Sequence, residues 1–418
     1  MKILIIGKGG REHALAWKFK QNPLVQKIFV AEGNAGCELL ADVVNIPLNK
    51  IDDLLGFALA EQIDLTVVGS EELLVEGIVD VFQKHNLAIF GPDKHAALLE
   101  GSKAFAKDFM TKYGIKTAKY KTFADYAQAL KYLNQVNFPI VIKASGLAAG
   151  KGVVITHDIG EAEQTLAAML LEQVFGESGC EVVIEEFLSG VEASILAFTD
   201  SKSIVPLISA KDHKKIGDGE TGLNTGGMGV IAPNPYITPE IYSQFLSDIL
   251  EPTLAGIKAE KMDFAGVIFF GLMITKNGVY LLEYNMRMGD PETQAVLPLM
   301  RNDLTQVIFK AIHKELQAND FSWEDAATCC VVLASGGYPE KYHKGYTIDG
   351  VNEFNQKDCY LFAAGVAKHN SHFTTAGGRV LNVVAKGSNL EDARAKAYQA
   401  LQKLSFKDCT YRSDIGII

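Results

Sequence analysis

The residues whose types and spacing best suit chemistry lie in one segment beyond the middle of the chain. Glu283, Asn285 and Arg287 alternate with other residues, so in a strand their side chains project from one face. Carboxylate and amide oxygens suit Mg²⁺, which keeps water ligands and bridges substrate phosphates. A guanidinium can bind a carboxylate or phosphate through two hydrogen bonds. The Gly-Asp-Pro-Glu sequence from Gly289 is unlike an ordinary turn, so the segment predicts a functional site rather than an exposed polar strand face.

A glycine-rich loop lies between two predicted strands. It contains Gly146, Gly150, Lys151 and Gly152, with three residues between the first two glycines. A Walker A loop has four residues there and a Ser or Thr after the lysine. The loop therefore predicts a flap of backbone amides and a lysine over a triphosphate, with a plain flexible hairpin as the alternative. Lys143 ends the preceding apolar strand and needs an anionic partner, which a nucleotide phosphate would supply.

A second glycine-rich turn follows the first predicted strand. Gly9 and Gly10 lie at a predicted helix start, where unpaired amides and the helix dipole favour an anion. Glu12 stands where the dinucleotide-binding fingerprint requires its third glycine, which argues against NAD. The two remaining interpretations are an anion held by these amides with Arg11, and a tight turn with a solvated arginine.

Two adjacent carboxylates, Glu185 and Glu186, close another predicted strand. Successive strand side chains point to opposite faces, so one carboxylate can face a ligand while the other faces solvent. A polar strand end is the alternative interpretation.

The segment from Lys211 to Asn234 is rich in glycine and shows no periodicity. We expect a loop without regular structure here, and loops of that length in compact proteins are usually functional or disordered. Asp212 and Lys214 supply charges, and the sequence from Asn224 to Gly229 offers backbone donors for an anionic group. A mobile surface loop is the alternative.

The elements that must position these residues follow from the hydrophobic pattern. Short apolar segments separated by helical patterns in the first hundred residues predict a doubly wound parallel sheet. Further strands are predicted at 139–143, 152–156, 181–187, 193–199, 204–210, 266–275, 278–284, 329–333 and 380–384. Helices are predicted at 102–113, 161–173 and 304–316, and a capping box from Ser388 to Glu391 predicts one more.

Length and composition exclude several classes of protein. The 418 residues correspond to about three domains at ~150 residues each. The net charge of −10 argues against nucleic-acid binding, which needs a basic face. The longest apolar segment, from Ala265 to Ile274, is much shorter than the ~18 residues of a membrane span. The six cysteines form no C-x-x-C pair and no signal peptide is indicated, so we expect reduced thiols and a cytoplasmic protein.

In this order, the segments resemble those of the glycinamide ribonucleotide synthetases, also called phosphoribosylamine–glycine ligases, which are ATP-grasp enzymes of purine biosynthesis. The resemblance covers essentially the whole chain. It rests on G-K-G-G-R-E-H-A from Gly7, G-N-A-G from Gly33, L-E-G-S-K-A-F from Leu99, K-A-S-G-L-A-A-G-K-G from Lys143, D-H-K from Asp212, N-T-G-G-M-G from Asn224 and the block from Glu283 to Gln294. It implies an α/β and α+β multidomain fold: an N-terminal Rossmann-like domain over 1–101, an ATP-grasp domain over 102–322 with a mobile lid at about 115–190, and a small C-terminal α/β domain over 323–418.

The resemblance also implies a reaction. ATP, with Mg²⁺ or Mn²⁺, would phosphorylate the carboxylate of glycine, and the amine of 5-phosphoribosylamine would attack the glycyl phosphate. The products would be glycinamide ribonucleotide, ADP and phosphate. The family implies a monomer whose partners are these small molecules, with a transient contact to the upstream enzyme that makes phosphoribosylamine.

The same resemblance implies a role for each of several residues. The residues implied to bind ATP are Lys103, Lys143, Gly146, Gly150, Lys151, Gly152, Glu185, Glu186, Leu188 and Glu192. The implied metal ligands are Glu283 and Asn285. The residues implied to bind the other substrates are Gly9, Gly10, Arg11, Lys214, Thr225, Gly226, Met228 and Arg287. The implied catalytic residues are Arg287, Asp290 and Asp212.

Some features depart from the family pattern, and other functions stay open. Ser145 stands where many relatives have Asp, and Ser70 replaces a common Pro. The strand 266–275 contains no acidic residue, so metal binding rests on Glu283, Asn285, phosphates and water.

A different ATP-grasp ligase or carboxylase would share the flap but would not need N-T-G-G-M-G. An inactive nucleotide-binding module would have lost the metal and phosphate residues, and a nicotinamide oxidoreductase is the weakest alternative.

Overall fold

The computed structural model describes residues 1–148, 151–370 and 372–418. The first hundred residues form a five-stranded parallel sheet in the order β3-β2-β1-β4-β5, which confirms the predicted Rossmann-like sheet. Its elements are β1 (Lys2–Gly7), α1 (Gly10–Phe19), β2 (Lys27–Glu32), β3 (Val43–Ile46), α2 (Ile51–Glu61), β4 (Leu65–Val68), α3 (Glu71–Glu76), α4 (Ile78–Lys84), β5 (Ile89–Phe90) and α5 (Lys94–Gly101). Strand β3 was not predicted, because its sequence Val-Val-Asn-Ile is interrupted by a polar residue and shows no continuous apolar segment.

The strand order reverses at β1, which lies between β2 and β4. In open α/β sheets, a ligand crevice lies outside the carboxyl ends of the strands at such a point. The carboxyl end of β1 leads to Gly9 and Gly10, and that of β4 leads to Gly69 and Ser70. The second glycine-rich turn therefore lies at the position where open α/β sheets commonly bind ligands.

The next region is an antiparallel sheet in the order β6-β9-β7-β8. Its elements, with the helix that leads into it, are α6 (Lys103–Lys112), β6 (Tyr120–Phe123), α7 (Tyr126–Leu133), β7 (Ile140–Ala144), β8 (Val153–Thr156), α8 (Ile159–Leu166) and β9 (Val182–Glu186). Strands β7 and β8 pair antiparallel on either side of the glycine-rich loop, as predicted. This sheet has a core of its own, which includes Ile142, Leu166 and Val182.

A second antiparallel sheet follows, in the order β11-β10-β16-β17. The elements of this part of the chain are β10 (Val191–Thr199), β11 (Ile204–Pro206), β12 (Lys211–Asp212), β13 (Lys215–Gly217), β14 (Thr221–Asn224), β15 (Gly229–Ala232), α9 (Pro239–Phe245), α10 (Glu251–Ala259), β16 (Gly266–Thr275), β17 (Gly278–Asn285), α11 (Glu292–Val296) and α12 (Leu304–Ile312). Strands β16 and β17 form the predicted hairpin about Asn277 and Gly278.

The expectation of an irregular loop from Lys211 to Asn234 is wrong, because the segment contains the four short strands β12 to β15. Strands β13 and β14 pair with each other, and β12 pairs with β15. Strand β15 also pairs with β18 of the C-terminal region. Strands of two to four residues show too little alternation to be found in the sequence.

The C-terminal region completes an antiparallel sheet in the order β12-β15-β18-β22-β19, with β23 paired to β18. Its elements are β18 (Ala327–Ser335), β19 (Cys359–Ala363), β20 (Val366–His369), β21 (His372–Thr375), β22 (Arg379–Gly387), α13 (Leu390–Leu401) and β23 (Cys409–Thr410). The predicted capping box is wrong by one residue: Asn389 is the N-cap of α13, and its side chain accepts from the Asp392 amide at 2.9 Å.

One large core joins the three regions, since Ile5, Leu196, Val230 and Cys330 belong to a single buried cluster. All six cysteines are free thiols, as expected. In the part of the chain that the structure describes, no helix is long and apolar enough to cross a bilayer.

Candidate active site

The end of strand β17 brings together the three residues singled out by their spacing. Nη2 of Arg287 donates to Oδ1 of Asn285 at 3.3 Å. Glu283 lies opposite Gly271 of β16, and a β-carbon at Gly271 would lie 3.1 Å from Cγ of Glu283. The glycine therefore leaves room for the glutamate side chain on this face. The predicted row of acid, amide and guanidinium is present.

Two carboxylates that the sequence interpretation missed bind Arg287. Nη2 lies 2.8 Å from Oε1 of Glu100 in helix α5, and Nε lies 3.4 Å from Oε2 of Glu71 in helix α3. Burial alone would lower the pKa of Arg287, but Glu100 and Glu71 raise it above its ordinary value. The arginine is thus held charged and fixed in direction. Glu100 lies within the L-E-G-S-K-A-F motif, whereas no sequence signal marked Glu71.

Glu283 is surrounded by cationic groups. Burial would raise its pKa, but Lys214, Lys143 and Lys103 lower it below the ordinary value. Its carboxylate is therefore ionised at neutral pH. The same cations would attract a triphosphate to this face.

The donor set fits a hard divalent cation. Glu283 offers carboxylate oxygens and Asn285 an amide oxygen, the ligand chemistry that Mg²⁺ prefers. Among the described residues, no group of three His, Cys, Asp or Glu side chains forms a complete metal site. Mg²⁺ is commonly held by one or two protein oxygens together with substrate phosphates and water. Two oxygen ligands beside a cationic face match that mode of binding.

Lys143, Lys107 and Glu185 form a buried ion cluster. Oε1 of Glu185 lies 3.0 Å from Nζ of Lys143 and 3.2 Å from Nζ of Lys107. The anionic partner required by Lys143 is thus a protein carboxylate. Burial lowers the pKa of Lys107 to about 8, although Glu185 raises it. Burial likewise lowers the pKa of Lys103.

The ammonium groups of Lys103, Lys107 and Lys143 lie near two carboxylates, those of Glu185 and Glu283, so this corner is net positive. Glu186 points the other way: it is exposed, and Oε1 accepts from the Lys119 amide at 2.9 Å. The two adjacent glutamates therefore face opposite sides, as strand geometry requires.

The described part of the glycine-rich loop lies next to this cluster. Nζ of Lys103 donates to the carbonyl of Gly146 at 3.1 Å. Lys151 is exposed and Gly152 is buried, whereas Gly150 lies outside the described residues. The Ser145 departure has a structural role, since Oγ of Ser145 accepts from the Ala104 amide at 3.1 Å at the start of α6.

Two of the residues expected to bind ATP lie on or beyond the turn after β9. Leu188 is half-buried in that turn. Oε2 of Glu192 lies 3.2 Å from Nζ of Lys214. The charges of Glu192, Glu283 and Asp212 raise the pKa of Lys214. The expected ATP residue Glu192 and the expected substrate residue Lys214 therefore meet in one ion pair.

The backbone amides expected to form an anion nest donate within the protein. The Gly226 amide donates to the Tyr338 hydroxyl at 3.0 Å, and the Gly227 amide donates to Oγ1 of Thr225 at 3.0 Å. The Met228 amide donates to the carbonyl of His213 at 2.8 Å. These bonds shape the loop, so these amides are committed to folding rather than free for an anion.

The glycine-rich turn after β1, which was expected to bind an anion, also forms its hydrogen bonds within the protein. The Gly9 amide donates to Oε2 of Glu12 at 2.6 Å, so a carboxylate occupies the place proposed for an anion. Arg11 is buried rather than solvated, and its Nη1 donates to the carbonyl of Met288 at 2.9 Å. A β-carbon at Gly10 would lie 2.5 Å from the side-chain amide nitrogens of Asn382 and Gln294. The glycines therefore allow α1 to approach the Glu283–Gln294 block closely.

Asp290 links this turn to the C-terminal region. Its Oδ2 accepts from the Arg11 amide at 3.4 Å, and its Oδ1 accepts from Nε2 of Gln294 at 2.8 Å. Nη2 of Arg379 lies 3.4 Å from Oδ1, and Nη1 donates to the Asp290 carbonyl at 2.8 Å. Burial would raise the pKa of Asp290, but Arg379 and Arg11 lower it. Arg379 was missed because no local pattern marks an arginine that begins a strand.

Lys103 and Lys143 lie on α6 and on β7 of the first antiparallel sheet, and Glu283 and Asn285 lie at the end of β17 in the second. Together with the parallel N-terminal sheet and the C-terminal sheet, this arrangement is that of an ATP-grasp enzyme. The sequence matches the three domains of the phosphoribosylglycinamide synthetase family: the N domain over residues 1–100, the ATP-grasp (A) domain over residues 101–293 and the C domain over residues 328–417. The chain belongs to this family.

Similar proteins agree with this assignment. A phosphoribosylamine–glycine ligase of Fusobacterium nucleatum is 60% identical, with 100% of this chain and 99% of the relative aligned. A phosphoribosylamine–glycine ligase of Clostridium acetobutylicum is 54% identical, again with 100% of this chain and 99% of the relative aligned. The crystal structure of the Thermotoga maritima phosphoribosylamine–glycine ligase superposes with a TM-score of 0.86 at 33% identity, covering 99% of this chain and 100% of that one.

Biotin carboxylases share the fold alone. The biotin carboxylase domain of Hydrogenobacter thermophilus 2-oxoglutarate carboxylase, crystallised with magnesium ADP and bicarbonate, gives a TM-score of 0.76 at 14% identity. The alignment covers 98% of this chain and 91% of that domain.

Proposed function

We propose that this protein joins glycine to 5-phosphoribosylamine at the expense of ATP, giving glycinamide ribonucleotide, ADP and phosphate. The observation that carries the proposal is the cluster around Glu283, whose carboxylate lies in the field of Lys214, Lys143, Lys103 and Arg287. A ligase of this kind must hold a triphosphate, a divalent cation and a carboxylate substrate at one place. The family assignment supports the same reaction.

The chemistry requires activation of a carboxylate, since a carboxylate is a poor acyl donor until a good leaving group is attached. Lys103 and Lys143 bind the phosphates of ATP, and the glycine-rich loop closes over them. Glu185 to Leu188 border the adenine, and Glu192 lies on the ribose side. Each of these groups acts by position and charge, which is how phosphoryl transfer is mainly catalysed.

Glu283 and Asn285 hold Mg²⁺ or Mn²⁺, which when bound neutralises charge on the transferring phosphoryl group. Arg287, fixed by Glu100 and Glu71, directs a guanidinium at the glycine carboxylate or at the phosphoryl group. Glycyl phosphate forms as the intermediate, and the amine of phosphoribosylamine attacks its carbonyl carbon and expels phosphate. Arg11, Asp212 and the 225–228 segment border the phosphoribosylamine, and Asp290 holds Arg11 and Arg379 in place.

The chain divides into a Rossmann-like domain over 1–101, an ATP-grasp domain over 102–322 and a C-terminal domain over 323–418. The segment 115–190 acts as a lid that opens to admit ATP. The protein works as a cytoplasmic monomer and receives its unstable amine substrate through a transient contact with the enzyme that makes it. Nucleic acid and membrane take no part in the reaction.

Oxygen-18 transfer tests the proposed intermediate. Glycine labelled with oxygen-18 in its carboxylate is incubated with ATP, Mg²⁺ and phosphoribosylamine, and the released phosphate is analysed by mass spectrometry. Formation of glycyl phosphate transfers one labelled oxygen to each phosphate released. Unlabelled phosphate, formed together with glycinamide ribonucleotide, would exclude the acyl phosphate route.

A further inference from the structure

The ammonium group of Lys143 is required by two anions. Its Nζ lies 3.0 Å from Oε1 of Glu185. Val141 pairs with Glu185 across β7 and β9, so Lys143, two residues further along β7, projects from the same face of the sheet. In the proposed function the same ammonium binds a phosphate of ATP. A buried carboxylate that loses its cation is strongly unfavourable, so Glu185 needs a second cation when Lys143 binds the phosphate.

Lys107 supplies a second cation to Glu185. It lies in α6, one helical turn after Lys103, and 2% of its side chain is exposed. Its Nζ lies 3.2 Å from Oε1 of Glu185 and 5.8 Å from the ring centre of Tyr120, the residue that pairs with Glu185 across β6 and β9. Residues four apart lie on one side of a helix, so Lys103 and Lys107 point toward the same sheet.

Lys107 is also hydrogen-bonded to the chain at the other end of the proposed lid. Its Nζ donates to Oγ1 of Thr117 at 2.7 Å, and that hydroxyl donates to the carbonyl of Leu281 in β17 at 2.6 Å. Thr117 lies near the start of the segment 115–190, and Glu185 lies in its last strand. One ammonium on a helix outside the lid therefore contacts the chain near both ends of the lid. These contacts are made within the protein, so they hold Lys107 in place when a nucleotide binds.

Without a nucleotide, the ammonium groups of Lys107 and Lys143 share one carboxylate. Burial lowers the pKa of Lys107, Glu185 raises it, and the charge of Lys143 lowers it. The two ammonium groups therefore repel each other across Glu185, and a further anion would relieve this repulsion. Lys143 lies in β7 next to the glycine-rich loop, whereas Lys107 is tied to Thr117. A phosphate that pairs with Lys143 thus leaves Glu185 paired with Lys107.

We propose that Lys107 is a positioning residue for ATP binding, which keeps Glu185 paired and so leaves Lys143 free to bind a phosphate. The inference rests on the proposed function, in which Lys143 binds ATP. Without a charge at Lys107, Glu185 would compete with the nucleotide for Lys143, and each binding event would leave a buried carboxylate unpaired. The loss should therefore affect recognition of the phosphates and leave recognition of adenosine and glycine unchanged.

Nucleotide affinity tests the inference without turnover. Lys107→Gln removes the charge and keeps a donor for Thr117. The Kd of adenylyl imidodiphosphate, a non-hydrolysable ATP analogue, is measured with Mg²⁺ by calorimetric titration at neutral pH. Lys107→Gln should raise this Kd by about tenfold or more, as the loss of a charge-assisted interaction predicts. Lys112→Gln, which removes an exposed lysine of the same helix, is the matched control.

Kinetics separate this role from a merely structural one. Adenosine, which has no phosphate, is measured as a competitive inhibitor against ATP, and its inhibition constant should be the same in Lys107→Gln and the wild-type protein. The KM for ATP should rise together with the Kd of the analogue. The KM for glycine, and kcat at saturating ATP, should change little.

Two results would overturn the inference alone: an unchanged Kd of the ATP analogue in the folded variant, or an equal loss of affinity for the analogue and for adenosine. If Lys107→Gln does not fold, Lys107→Met, which also removes the charge, decides the question by the same measurements. A wild-type protein that binds the analogue but forms no glycinamide ribonucleotide would overturn the proposed function and leave the role of Lys107 in nucleotide binding measurable. The two failures are thus distinguishable.

Discussion

Nη2 of Arg287 lies 2.8 Å from Oε1 of Glu100, which joins the end of strand β17 to helix α5. The other oxygen of Glu100 accepts from the Met286 amide at 2.6 Å. One buried carboxylate therefore fixes both the backbone before the arginine and the guanidinium itself. This contact sets the direction of the Arg287 guanidinium, which in the proposed reaction meets the carboxylate of glycine or the transferring phosphoryl group.

Glu100→Gln should lower kcat by about 10- to 100-fold, because a guanidinium displaced by a fraction of an ångström loses its alignment. The KM for ATP should change little, since Lys103 and Lys143 are untouched. Because Glu71 still faces the arginine, the loss of unfolding free energy should be only about 1–3 kcal/mol. Steady-state kinetics and urea unfolding measure the two effects, with exposed Glu76→Gln as control. An unchanged kcat would show that Glu100 does not position Arg287 for catalysis.

Glu283→Gln should leave the fold intact and remove most turnover, because the amide lacks the negative charge that a divalent cation needs. The comparison is made by circular dichroism and by rate as a function of Mg²⁺ concentration. Glu163→Gln, on the exposed face of α8, serves as the matched control. Full activity in Glu283→Gln would exclude Glu283 from the metal site.

Local patterns predicted the row of Glu283, Asn285 and Arg287 because strand alternation is a property of neighbouring residues. They could not predict Glu100 or Arg379, which reach the site only when distant segments fold together. The parallel N-terminal sheet and the β16–β17 hairpin were predicted from continuous apolar segments and an Asn-Gly turn. Strands β12 to β15 were not, since two to four residues show too little alternation, and only pairing with each other and, for β15, with β18 makes them regular.

Arg412→Met should loosen the segment that carries Asp212 and Lys214. Arg412 is 1% exposed; its Nη2 lies 2.9 Å from Oε1 of Glu220, and its Nη1 donates to the Lys215 carbonyl at 3.1 Å. Loss of these contacts should cost about 1–3 kcal/mol of unfolding free energy and expose the β13–β14 hairpin to protease. The KM values for glycine and phosphoribosylamine should rise, whereas that for ATP should not.

Limited proteolysis with mass analysis, together with the three KM values, measures this effect. Arg301→Met, which removes an exposed arginine in a long surface pair, is the control. Equal protease resistance of Arg412→Met and the wild-type protein would contradict the anchoring role.

The free energy of unfolding should fall at acidic pH, partly because of His13. Its Nδ1 accepts from the Ala363 amide at 2.9 Å, joining α1 to β19, and burial lowers its pKa to about 4 from 6.5. The folded state therefore binds a proton less readily than the unfolded state. This contribution to stability is present above pH 6.5 and declines between pH 6.5 and 4, with a slope of at most about 1.4 kcal/mol per pH unit.

Unfolding free energies of the wild-type protein and His13→Asn across that pH range isolate this contribution. The wild-type protein should lose stability more steeply than the variant, and exposed His343→Asn should follow the wild-type slope. Equal slopes for the wild-type protein and His13→Asn would contradict a buried neutral imidazole.

The most direct measurement is the release of ADP and phosphate from ATP and Mg²⁺, with glycine and freshly made phosphoribosylamine each omitted in turn, and with the product identified by mass. We predict that turnover needs both substrates and yields one glycinamide ribonucleotide for each ADP. Sustained turnover with glycine omitted, or with another acid or amine in place of these two, would contradict the proposed reaction.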